Sequence, residues 1–222
     1  SNVNLKKDFV GFHARNDLYY IKKNLIDTDK QYHGFRNFDF KDYNLAIKYL
    51  KKKYSIVKLG ETYLEEQPEK FNDFFETKIF TSLDFNSNDK IDYLINAHSR
   101  YNIVSSSGVD GISSILRKRI LYVNFIPFDL GHLSYCSPGS IILPKKIFDK
   151  EKSRFLTFKE NLTINFQKFQ KNNLFKVINN SPEEILDSVI EMEEKIRGEN
   201  NQEKEKLNNL FWKSVTDYNF DK

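Results

Sequence analysis

The chain holds one cysteine in 222 residues, Cys136, which excludes an internal disulfide and a cysteine-based zinc site and suits a reducing compartment. No apolar run approaches the ~18–20 residues that a membrane-spanning helix needs. The opening Ser1 to Asp8 is polar and charged, unlike a signal peptide, and Ser1-Asn2 reads as a cloning remnant with the natural start upstream. These features point to the cytoplasm. Charge of one sign is scarce as well. The formal net charge is +4, and the lysines are spread along the chain, a pattern of solubility and not a nucleic-acid footprint. No Gly-Lys-Ser/Thr ending, GxGxxG or GxSxG is present, so Walker-type, dinucleotide-fingerprint and common serine-hydrolase chemistry are set aside. The four histidines, His13, His33, His98 and His132, lack metal-ligand spacing, and no metal or cofactor is expected.

What is present is a core. Hydrophobic residues make up 39% and aromatics 15%, enough for one sizeable domain or two small ones. Strands are expected at 9–14, 54–60, 77–80, 101–106 and 120–126. Helices are expected at 42–53, with Tyr43, Ala46, Ile47 and Leu50 on one face; at 88–99, with Ile91, Leu94 and Ile95 together; and at 111–119. Strands that are apolar throughout, alternating with helices, predict an α/β fold: a Rossmann-like open parallel sheet with helices on both faces. FKVIN (175–179) reads as its last strand. Ser181-Pro182-Glu183-Glu184 then carries a capping-box signature and a first-turn proline, opening a helix that should end at Gly198. A polar helix over 201–216 is expected to dock through Leu207, Leu210, Phe211 and Trp212. Domain boundaries follow: 3–180 for the Rossmann-like domain and 181–222 for a helical C-terminal extension packed on it. Glu193-Glu194 reads as a solvated face, and 127–140 as a long loop of the functional kind.

In an open parallel sheet, ligands bind beyond the carboxyl ends of the strands. Three polar groups fall there: His13 to Asp17, Gly60-Glu61, and Ser105 to Gly108. A serine-rich turn opening a helix offers N–H groups, hydroxyls and a positive dipole end to an anion, or else a plain serine N-cap. Arg15 can grip a phosphate through two parallel hydrogen bonds, or pair with Asp17. His13 is either a packed histidine or a catalytic one. Arg36-Asn37 offers a further cation. Tyr19, Tyr20, Phe125 and Phe128 suit stacking or packing. Cys136 reads as an ordinary loop residue.

The ordered blocks FHARND, YHGFRNFDFKDYNLAIKYLKKKYSIVKLGE, IDYLINAHSRYNIVSSSGVDGISSILRKRILYVNFIPF, IILPKKI and RFLTFKE resemble a family of bacterial surface-polysaccharide glycosyltransferases of GT-B-type fold, over roughly residues 9–190. The likeness is to the C-terminal, donor-binding half. The His-x-Arg of the first strand is similar to that of fucosyltransferase-like enzymes, though Asn16 stands between Arg15 and the acidic Asp17. The resemblance implies that Arg15 contacts a nucleotide-sugar diphosphate with His13 beside it, and that Ser106, Ser107 and Gly108 line the phosphate pocket. Arg36 and Asn37 match the family's Arg-Asn block, Glu61 takes the place of an acidic residue after a glycine, and Asp17 completes the binding set. Lys145, Lys146 and Glu160 match later family positions. It further implies transfer of a sugar to a glycan acceptor in polysaccharide synthesis without a bound metal, with a second domain or chain supplying the acceptor site. The alternatives are a non-catalytic nucleotide-binding, glycan-binding or partner-docking module, or a GT-B-fold enzyme such as an epimerase.

Overall fold

The computed structural model describes residues 8–22, 34–85, 89–137, 139–164, 174–199 and 201–220. His33, Pro138 and the side chains of Tyr19 and Tyr20 lie outside the described residues. Six apolar runs form strands: β1 (Phe9–Phe12), β2 (Ser55–Lys58), β3 (Ile79–Phe80), β4 (Asn102–Val104), β5 (Ile120–Phe125) and β6 (Ile141–Pro144). They pair in the order β3-β2-β1-β4-β5-β6, every pairing parallel. The chain winds outward from β1 to β3, returns to place β4 beside β1, and winds out the other way. This is the Rossmann-like order, with its switch point between β1 and β4.

Between and after the strands run α1 (Leu18–Lys22), α2 (Asn44–Leu50), α3 (Pro68–Phe75), α4 (Asp89–His98), α5 (Gly108–Ile115), α6 (Leu130–Leu133), α7 (Phe158–Thr163), α8 (Pro182–Arg197) and α9 (Gln202–Phe220). The strands bury both faces, which is why they read as unbroken apolar runs. Val10, Phe12, Ile56, Ile103, Leu121 and Val123 meet Ala46, Ile47 and Leu50 of α2 and Ile185, Val189 and Met192 of α8. Phe9, Val57, Val104, Ile120 and Tyr122 join Ile95 of α4 and Leu133 of α6 on the other side. Each such large side chain contributes about 1.5–3 kcal/mol by leaving water. Gly11 lies opposite Asn102 in the β1–β4 register, and a Cβ there would run into the Asn102 side chain and Leu59.

Several expectations hold. Tyr43, Ala46, Ile47 and Leu50 are all fully buried. Ser181 accepts from Glu184 N, Pro182 opens α8, and Gly198 closes it at φ 77°. Others are corrected. FKVIN is not a strand of the parallel sheet. It becomes β9 (Phe175–Ile178), pairing antiparallel with β7 (Lys146–Asp149), which also takes β8 (Arg154–Phe155). A short apolar run fits either kind of sheet, so periodicity cannot choose between them. The third helix starts at Gly108, three residues before the expected 111, because Ser107 is its N-cap.

Leu94 is 58% exposed, while Ile95 carries the α4 contact. On α9, Leu207, Leu210 and Trp212 are exposed; Phe211 makes the contact, edge-on to Phe158 and tilted against Phe128, and Val215, one helical turn on, is buried. Glu193 is not solvated: it is buried and accepts a hydrogen bond from Tyr54 Oη at 3.2 Å. Among the described residues no helix is long and apolar enough to cross a membrane.

Candidate functional site

The switch point brings the first and third predicted groups together. As β1 ends, His13 N donates to Ile103 O of β4 at 2.9 Å, and Tyr43 Oη donates to His13 O at 2.8 Å. The backbone of His13 is thus fixed from both sides. Its Nδ1 lies 3.2 Å from Ser107 Oγ, so the exits of β1 and β4 touch across the crevice. Burial, with the positive charges of Lys58 and Arg15, pushes the imidazole down to about 3, which leaves it neutral at physiological pH.

Ser106 Oγ donates to Ile126 O at 2.6 Å, tying the turn to the exit of β5. Arg36, in the 3-10 turn Gly34–Arg36, donates from Nη2 to Ser106 O at 2.5 Å. The turn that carries Arg36 is itself held. Lys145 Nζ, 4% exposed, donates to Phe35 O and Asn37 O, both at 2.8 Å, so the two carbonyls flanking Arg36 share one buried ammonium. Asn37 therefore enters through its backbone, whereas Arg36 brings its side chain to the β4–α5 turn.

A pocket of about 390 Å³ opens at this turn. Arg36, Ser106, Ser107 and Asp110 line it together with Tyr122 and Phe125 of β5 and His132, Tyr135 and Cys136 from the segment beyond β5. Its polar side offers a guanidinium, hydroxyls and the start of an eight-residue helix, a set that suits an anion. Asp110 opposes part of that. It accepts from Ser107 N at 3.1 Å as the third residue of the helix, and burial raises its carboxyl to about 6 despite the N–H groups of the turn and Arg36. Cys136 donates to His132 O at 3.7 Å, and burial pushes its thiol up to about 11, so it stays protonated and unreactive.

The remaining predicted residues are placed differently. Arg15 is 5% exposed and outside the pocket lining; its carbonyl accepts from Phe38 N at 3.2 Å. Asp17 is exposed at the start of α1, where its carbonyl accepts from Ile21 N. Glu61 is exposed and accepts from Tyr63 Oη at 2.9 Å. Gly108 is exposed at the head of α5. Lys146 pairs with Glu184 at 2.8 Å, and Glu160 takes Arg154 at 2.7 Å while capping α7 through Thr157, so both act in structural pairs. Phe125 and Phe128 are buried. Among the described residues no three of His, Cys, Asp and Glu gather as a metal centre.

Asp110 and Asp129 do not stand out as site residues in the sequence, and His132 figures there only among histidines without metal-ligand spacing. The Ser107-x-x-Asp110 spacing is a capping-box signature that points to the first, and Asp129-x-x-His132 spans one helical turn. Lys58 is a further surprise: a lysine closing a buried strand, with Glu66 at 3.2 Å and both side chains 5% exposed.

No family model matches the chain, and no curated protein matches it. Among solved structures, the ADP-heptose LPS heptosyltransferase II of E. coli superposes with a TM-score of 0.44 at 11% identity, over 86% of this chain and 49% of that one. The chain therefore spans about half the length of that protein.

Proposed function

We propose that the chain is the nucleotide-sugar-binding half of a GT-B-type glycosyltransferase, transferring a sugar to a glycan acceptor whose site another domain or chain supplies. The observation that carries this is the convergence at the β1–β4 switch point, where Arg36 reaches Ser106 O at 2.5 Å beside the Ser107 turn and an open pocket. A diphosphate there faces a guanidinium, serine hydroxyls and the α5 N-terminus. In transfer the diphosphate becomes the leaving group, so these donors stabilise charge that grows in the transition state. The ordered sequence blocks of the donor-side family support the same reading.

Calorimetric titration of the folded chain with GDP, UDP, ADP and CMP and their common sugar conjugates tests it. Micromolar binding of one nucleotide, weakened at least tenfold by Arg36→Ala, is expected. Absence of binding by all of them would turn the reading to a partner-docking module, for which Leu207, Leu210 and Trp212 on α9 are exposed apolar surface.

A further inference from the structure

The pocket is lined from a second direction by α6 and the turn after it, and these residues have no part in holding an anion at Arg36. His132 Nδ1 lies 3.0 Å from each carboxylate oxygen of Asp129, and His132 N donates to Asp129 Oδ1 at 2.9 Å. Capping α6 needs only the backbone bond; here the same carboxylate also grips the imidazole. His132 Nδ1 is taken up by Asp129, which leaves Nε2 as the ring nitrogen for a ligand; in the tautomer whose Nδ1 proton faces the carboxylate, Nε2 is an acceptor. His132 is 42% exposed and Tyr135 is 76% exposed, so both are open to a ligand. His13, whose Nδ1 is engaged by Ser107, is absent from the pocket lining.

We propose that His132, oriented by Asp129, accepts a hydrogen bond through Nε2 from a hydroxyl of the bound ligand, and so is the histidine that meets it. Asp110, on the α5 side of the pocket, is a second acceptor and the exposed Tyr135 ring a platform, a combination that suits a polyhydroxylated ring better than a second anion. This assignment rests on the nucleotide-sugar reading for the group at Arg36, and it adds where the hydroxyl-bearing part lies.

The test follows the histidine ring resonances of the full chain while ADP-glucose, UDP-glucose and GDP-mannose are added singly, with the His132 signal identified by its loss in His132→Ala. The sugar nucleotide that binds is expected to shift the His132 signal and leave that of His98, exposed on α4, in place. His132→Ala should weaken its affinity about fivefold, the scale of one lost hydrogen bond, and Asp129→Asn by less. Binding that depends on Arg36 but leaves both the His132 resonance and the His132→Ala affinity unchanged overturns this assignment alone. Binding by none of the three overturns it together with the donor-site reading.

Discussion

Beyond the ends of β1 and β2, Lys58 meets Glu66 at 3.2 Å, and Asn16, Thr62 and Tyr63 N supply further hydrogen bonds to the pair. Beyond the ends of β4 and β5, Arg36, Ser107, Asp110 and His132 instead border about 390 Å³ of open space. Both regions lie on the same edge of one sheet and are equally rich in polar residues. The first forms a closed, buried pair and fixes the loop over 60–66; the groups of the second are hydrogen-bonded too, but they border a space that a ligand can enter. Polar density at strand exits therefore does not locate a site. What locates it is whether the paired groups leave open space beside them.

The largest effect should come from breaking the closed region. Burial lowers the Lys58 pKa while Glu66 opposes the shift, and removing either partner leaves the other buried without its counter-charge. Lys58→Met or Glu66→Leu alone is expected to cost about 3–5 kcal/mol in urea denaturation, whereas the double substitution recovers most of that loss. An additive double mutant would mean that the two do not act as a pair, and the contrast between the regions would lose its basis.

An intermediate effect should come from Lys145, which belongs to neither region but positions the open one. Lys145→Met leaves the carbonyls of Phe35 and Asn37 short of a donor and is expected to destabilise the chain by about 1–3 kcal/mol. If its purpose is to set Arg36, it should also weaken the nucleotide that binds by about tenfold, and adding Arg36→Ala should then cost little more. Independent, additive losses in calorimetry would reduce Lys145 to a structural lysine.

Much of the frame was readable in advance because it follows from side-chain burial on strands and helices. Phe9 and Val10, Ile103 and Val104, Ile120 and Leu121 are apolar at neighbouring positions since both faces of their strands are covered, and that pattern separates a parallel sheet from a half-exposed one. The α8 boundaries were readable because Ser181, Pro182 and Gly198 act through local geometry. What was not legible is set by distant partners. Glu193 looks solvated until Tyr54, 139 residues earlier, is folded against it. Arg15 and Arg36 carry the same charge in equally polar stretches, yet only Arg36 lines the pocket, because Lys145 holds its turn from 108 and 110 residues away. His132 sits in a stretch that reads as a loop, and its placement depends on a four-residue helix that no periodicity reveals.

The smallest effect, and the sharpest for the open region, concerns Asp110. Its carboxyl is raised from 3.8 to about 6, chiefly by burial, so the folded chain keeps a proton that the unfolded chain releases. Stability from this group is fully present below about pH 4 and is lost as pH rises through about 6. Anion affinity should follow the same direction, because above pH 6 a carboxylate shares the head of α5 with the ligand's phosphates. A charge at that position is worth about 0.3–1 kcal/mol, or ~2–5-fold in affinity. A diphosphate diester such as ADP-glucose keeps its own charge across this range, so its binding reports the protein. From pH 5 to pH 7.5 its affinity should fall severalfold more steeply in the natural chain than in Asp110→Asn. Parallel pH profiles would mean that Asp110 does not meet the anion, and that the phosphates lie away from the head of α5.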